Sequence, residues 1–185
     1  MAETALFVID IQAELVSIPD TAIPHAARIR EAGERILTKA RTQTSPKPLI
    51  VIVQHSEDPG SPNATLIAGS PAWELAFPPQ GNEGDEMLVG KTTRDTFDSN
   101  PDLAARLKAQ GVKRIVAFGI QSDFCVGATC RGAVSAGFEV VLLQGAHSTY
   151  DDKKSGRSAL DIEREVEGEL EAIGVRVVPW EGFEF

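Results

Sequence analysis

Gly119-Ile120-Gln121-Ser122-Asp123-Phe124-Cys125-Val126-Gly127-Ala128-Thr129-Cys130 joins two kinds of pattern. The residues leading into it, 114–120, form an apolar run without alternation, which marks a strand covered on both faces, as in a parallel sheet. The residues leading out, 126–137, are small and helix-like. Cys125 therefore falls where a buried strand stops and a helix begins. A helix N-terminus carries roughly half a positive charge, which favours thiolate over thiol. Its first turn also leaves backbone N–H groups unpaired, free to hold an oxyanion. Gly127, Gly132 and Gly137 each cost about 1 kcal/mol against Ala inside a helix. Close approach of the helix to the sheet is the compensation this pattern predicts.

Similar units repeat outward from this turn. Residues 6–11, Leu-Phe-Val-Ile-Asp-Ile, form a second apolar run, interrupted only by Asp10. A carboxylate there is costly unless partnered. It either caps the next turn or pairs a structural cation, or it lies at the strand's carboxyl end, where open α/β sheets bind ligands. Residues 24–44 carry a helical stripe of Ile29, Gly33, Ile36, Leu37 and Ala40. A strand at 49–53 leaves Gln54 and His55 at its end, completing a βαβ unit. A short strand at 87–89 precedes Lys91. Asn100 and Pro101 then read as the cap and first position of a helix ending near Gly111. A strand at 138–143, a helix through Leu160, Ile162, Val166 and Leu170, and a strand at 175–178 complete the chain. The alternation predicts an α/β fold: a three-layer α/β/α, Rossmann-like domain with a mostly parallel central sheet of about six strands.

The stretch 57–85 breaks this rhythm, because its Pro and Gly residues rule out a long regular element. Trp73 and Phe77 argue against a solvated linker, so the loop reads as an active-site wall, a subunit contact or an ordered loop with aromatic anchors.

The 185 residues predict a single domain spanning 1–185. The net charge is −9 and no basic block stands out, which excludes nucleic acid as an expected partner. No apolar run is long enough to span a membrane, and the start of the sequence lacks the pattern of a signal peptide. These features predict a cytoplasmic protein without a membrane partner. Cys125 and Cys130 sit about 140° apart on a helix, poorly placed for a mutual disulfide. Three histidines are a thin supply of metal ligands.

Asp10, Lys91 and Cys125 thus fall at or just after three predicted strand ends. Each has a plain alternative: a capping carboxylate, a surface lysine, an inert core thiol. As an ordered set they are more specific. Phe7-Val8-Ile9-Asp10-Ile11-Gln12, Lys91 followed by Phe97, Gly119-Ile120-Gln121 leading to Cys125-Val126 and Thr129, and Gly137 through Ala146-His147-Ser148 together resemble the isochorismatase-like cysteine hydrolases, the superfamily that includes the nicotinamidases.

The resemblance implies an Asp–Lys–Cys triad at Asp10, Lys91 and Cys125, and a cis peptide at Ile120–Gln121. It also implies an oxyanion hole from the backbone N–H groups of Gln121 and Cys125, and a homo-oligomer. The implied reaction is hydrolysis of a small amide through a Cys125 thioester, with Lys91 steadying the thiolate and Asp10 moving protons. Nicotinamidases carry an Asp-X-His metal site after the second strand. Here that region reads Val51-Ile52-Val53-Gln54-His55-Ser56, so no metal and no cofactor are expected. Gln144 replaces an Asp that many members carry. His55 either contacts substrate or is a satisfied loop histidine. Trp73, Phe97 and Phe124 are candidate pocket walls or simply core, His147 reads as a cap on its turn, and Cys130 as buried and inert. Two other readings compete: a thiol redox enzyme on the same fold, and a catalytically silent Rossmann-like binding module. The first lacks a well-placed resolving cysteine and the second lacks a G-x-G-x-x-G or P-loop.

Overall fold

The computed structural model describes residues 3–80 and 84–185; Met1, Ala2 and Gly81 of the segments read above lie outside it. Six strands form one sheet: β1 (Thr4–Ile9), β2 (Leu49–His55), β3 (Glu86–Lys91), β4 (Arg114–Ile120), β5 (Glu139–Ser148) and β6 (Arg176–Pro179). Every pair is parallel, in the order β3-β2-β1-β4-β5-β6. The helices are α1 (Ala13–Val16), α2 (Ala26–Thr42), α3 (Thr96–Ser99), α4 (Leu103–Ala109), α5 (Gly127–Ser135) and α6 (Ala159–Glu171). Among the described residues, no helix is long and apolar enough to cross a membrane.

Strand β1 shows why the pattern folds this way. All six of its residues are buried. Ala5, Phe7 and Ile9 face one core with Leu103, Leu107, Val126 and Leu170, while Leu6 and Val8 face the other with Ile29, Ile36 and Leu37. Burying each large apolar side chain contributes about 1.5–3 kcal/mol, so a strand covered on both faces needs no polar alternation. The strand order reverses between β1 and β4, and a crevice opens beyond their carboxyl ends at that switch point.

Two backbone features shape the crevice. Asp10 ends β1 in the left-handed region, φ 50°, a conformation uncommon for a residue other than glycine. Gly119 lies beside Ile9 in the register with φ 140°, and a Cβ there would stand 2.1 Å from the Ile9 carbonyl oxygen. Only glycine lets β4 lie this close to β1 just before the cysteine turn.

Several local expectations are corrected. Asn100 does not start a helix: it closes α3, donating its side-chain amide to the Gly90 and Thr96 carbonyls, and α4 begins at Leu103. The glycines of α5 do not serve contact with the sheet. A Cβ at Gly132 would meet the Asp95 carboxylate at 2.2 Å, the group that caps α3 through Phe97 N–H, and Gly137 lies beyond the helix at φ 85°. His147 is not a turn cap. It is fully buried within β5, which runs on to Ser148 through a register shift against β4.

Candidate active site

Lys91 is the centre of the crevice. Parallel pairing sets His55 of β2 opposite Lys91 of β3, and the Lys91 side chain is fully buried. Its Nζ lies 2.7 Å from Asp10 Oδ2, 3.1 Å from Cys125 Sγ, 3.1 Å from His55 Nδ1 and 3.1 Å from the Thr93 carbonyl oxygen. An ammonium has three protons and accepts nothing. His55 Nδ1 must therefore accept, which places the neutral ring's proton on Nε2. Burial, then the Lys91 charge, lower the His55 pKa, in agreement with a neutral ring. The ring is held by its backbone: Gln12, fully buried, accepts from His55 N–H at 2.9 Å and donates to the His55 carbonyl at 3.0 Å.

The Asp10–Lys91 pair is an ion pair by distance, and neither Asp10 oxygen has a further hydrogen-bond partner among the described residues. Burial pushes the Asp10 carboxyl above its usual range, and the Lys91 charge pulls against it. Cys125 is pushed up to about 12, first by burial and then by the Asp10 charge, with Lys91 opposing. Burial here acts against the pull toward thiolate that a helix N-terminus supplies. Burial thus favours the thiol form of Cys125, whose Sγ lies within 4.8 Å of the Asp10 carboxyl.

The turn itself is a π-turn, Ser122–Val126, and α5 starts only after it. The Ile120–Gln121 peptide is cis. The Gln121 carbonyl accepts from Phe124 and Val126 N–H, while the Gln121 N–H has no hydrogen-bond partner among the described residues. Behind the turn, Ser122 Oγ lies 2.8 Å from His147 Nδ1, and His147 Nε2 lies 3.2 Å from Glu167 Oε1. Burial alone would raise Glu167; hydrogen bonds from His147 and Gln144 outweigh it and hold the carboxyl below its ordinary value. Gln144 thus bonds α6, away from the triad.

A cavity of about 370 Å³ opens above Asp10 and Cys125. His55, Phe124 and Gln121 line it, as do Glu14, Glu57, Leu66, Arg94 and Tyr150. Trp73 and Phe97 lie elsewhere. Trp73 donates its indole N–H to Ser56 Oγ at 2.9 Å and anchors the 57–85 loop, whereas Phe97 stacks on Phe7 and tilts against Phe138 in the core. Glu14, Arg94 and Tyr150 went unnoticed in the sequence. Each is a common surface residue type, and only the fold brings them together.

An isochorismatase-domain model matches residues 4–164. This chain belongs to the isochorismatase family. It is 37% identical over 147 residues to a streptothricin hydrolase of Streptomyces noursei, covering 80% of this chain and 50% of that protein. The chain thus spans about half the length of that relative. Its fold matches the isochorismatase of Pseudomonas putida with a TM-score of 0.82 at 23% identity, covering 98% and 90% of the two chains. It also matches the pyrazinamidase of Pyrococcus horikoshii in complex with zinc, with a TM-score of 0.75 at 24% identity, covering 96% and 99%. These two likenesses show the fold.

A zinc-bound relative raises the question of whether this site suits a metal. Asp10, His55 and Cys125 each offer a ligand atom within 4.8 Å of the others. Those three side chains, however, converge on the Lys91 ammonium, at 2.7, 3.1 and 3.1 Å. An ammonium cannot ligate a metal, and it already supplies the positive charge this donor set would bind. The donor set does not fit a metal with Lys91 in place.

Proposed function

We propose that this chain is a cysteine hydrolase that cleaves a small amide through a Cys125 thioester. The single observation that carries the reading is the Lys91 ammonium, which touches both Asp10 and Cys125 at the floor of the cavity. When the thiol proton passes to Asp10, the negative charge moves from carboxylate to sulfur, and both positions face the same cation. The pair's net charge is constant, so the transfer avoids creating a new buried charge. This offsets the high thiol pKa that burial imposes.

The steps balance on these groups. Cys125 Sγ attacks the amide carbon as Asp10 takes its proton, and the oxyanion forms toward the Gln121 and Cys125 N–H groups. The loss of one such donor typically costs ~3–4 kcal/mol of barrier. Collapse breaks the C–N bond, and Asp10 returns the proton to the departing amine. Asp10 then takes a proton from water, hydroxide adds to the thioester, and the tetrahedral adduct expels the thiolate. The proton returns to sulfur, leaving a carboxylic acid and the thiol. The redox alternative has less support: Cys130 is buried, and burial holds its thiol up at about 12 as well. A cytoplasmic homo-oligomer belongs to the same proposal. Leu88, 53% exposed on the edge strand β3, is a natural contact for a second copy, and light scattering reads the assembly.

The test is release of ammonia or amine from a panel of small amides that includes streptothricin, the compound named for the Streptomyces relative. Cys125→Ser and Asp10→Asn should each lower kcat/KM by about 10³-fold or more. Turnover that survives Cys125→Ser would overturn the reading.

A further inference from the structure

We propose that the substrate carries a cation, an alkylammonium or guanidinium, away from the scissile amide, and that Glu14 reads it. The proposal rests on the hydrolase reading of the same cavity and deepens it. Glu14 lies on α1 and lines the cavity. It is only 9% exposed, yet its carboxylate has no hydrogen bond or ion pair among the described residues. One candidate donor is already committed. Tyr150, which lines the same wall, gives its hydroxyl proton to the Thr21 carbonyl. Thr21 Oγ1 in turn donates to the Glu14 backbone carbonyl, not to its side chain.

Glu14 lines the cavity, and a substrate that occupies the cavity excludes water from it. A neutral substrate would then leave a buried, unpaired charge, which is costly. An anionic one would add repulsion. A cation supplies what is missing. Glu57 adds to the same field: one of its oxygens accepts from the Thr65 and Leu66 N–H groups at 2.7 and 2.9 Å, and the other stays open. Arg94 also lines the cavity and argues for an anion, but it is exposed, with its guanidinium 4.1 Å from the centre of the Phe124 ring. A solvated arginine loses little by staying unpaired, whereas a carboxylate on a residue only 9% exposed loses more when the cavity is filled. The buried group decides the sign.

The test separates binding from chemistry. In a Cys125→Ala protein, calorimetric titration compares three amides of matched length: ε-aminocaproamide (cationic), caproamide (neutral) and adipamic acid (anionic). The cationic amide should bind at least about tenfold more tightly than the neutral one. Glu14→Gln should remove most of that preference and Glu14→Asp should retain part of it, both with unchanged melting. Equal binding of the three, no binding of any, preference for the anion, or a cation preference that survives Glu14→Gln overturns the proposal. Turnover by the protein with Cys125 intact tells the two claims apart. Hydrolysis of caproamide and ε-aminocaproamide at equal kcat/KM sinks the cation claim and leaves the hydrolase standing. Glu14-dependent binding of the cation with no turnover of any amide does the reverse.

Discussion

At the residue scale, the site's chemistry depends on which atom holds the proton before substrate arrives. Burial and the Asp10 charge put it on Cys125, with a thiol pKa of about 12. Alkylation of Cys125 by iodoacetamide should therefore rise about tenfold per pH unit from pH 7 to pH 10, without a plateau. Asp10→Asn removes a charge that raises the thiol pKa. It should speed alkylation at pH 8 while abolishing turnover, a split that a merely damaged site would not produce. A plateau near neutral pH in the unmutated protein would contradict the assignment. The identity of Asp10 and Cys125 was legible at strand ends, because a polar residue in an apolar run stands out. Lys91 also fell just after a predicted strand, but lysine is ordinarily a surface residue, and the resemblance made the position specific. Glu14 was invisible because its meaning depends on Tyr150, more than a hundred residues away, being occupied elsewhere.

At the element scale, the crevice depends on how closely β1 and β4 approach. Gly119→Ala would place a Cβ 2.1 Å from the Ile9 carbonyl oxygen, at a φ that disfavours any side chain. Urea unfolding should show a loss of roughly 2–4 kcal/mol, together with reduced activity, because the strands that carry Asp10 and the cysteine turn are pushed apart. A loss below about 1 kcal/mol would mean that the strands relax freely. The long strands and helices were legible for a physical reason: a six-residue run buried on both faces, or a seventeen-residue stripe, repeats its signal. Helices α1 and α3 have four residues each, too few for a periodic pattern. The π-turn at Ser122–Val126 reads in sequence only as a strand-to-helix turn, because its extra residue changes hydrogen bonding and leaves composition alone.

At the scale of the whole molecule, the six-stranded parallel sheet followed from the alternation of runs, and its switch point explains why the site lies between β1 and β4. Stability should carry a mark of the network behind the turn. The Glu167 carboxyl is held below its ordinary value of 4.5, so its contribution is complete above pH 4.5 and is lost as pH falls through the lower folded value. Glu167→Gln should flatten that acid limb in thermal melts, and an unchanged limb would place the acid sensitivity elsewhere. Asp10, with a raised pKa, acts in the opposite sense: its contribution is complete below its unfolded value and fades as pH rises. The comparison is therefore made against the unmutated protein at each pH.

The central claim is that Cys125 becomes acylated. Intact-mass spectrometry of protein quenched in acid during turnover of a small amide tests it most directly. The account predicts an added acyl mass that maps to Cys125 and is absent in Cys125→Ala. Amide hydrolysis that proceeds in Cys125→Ala, or an acyl group mapped to any other residue, would contradict it.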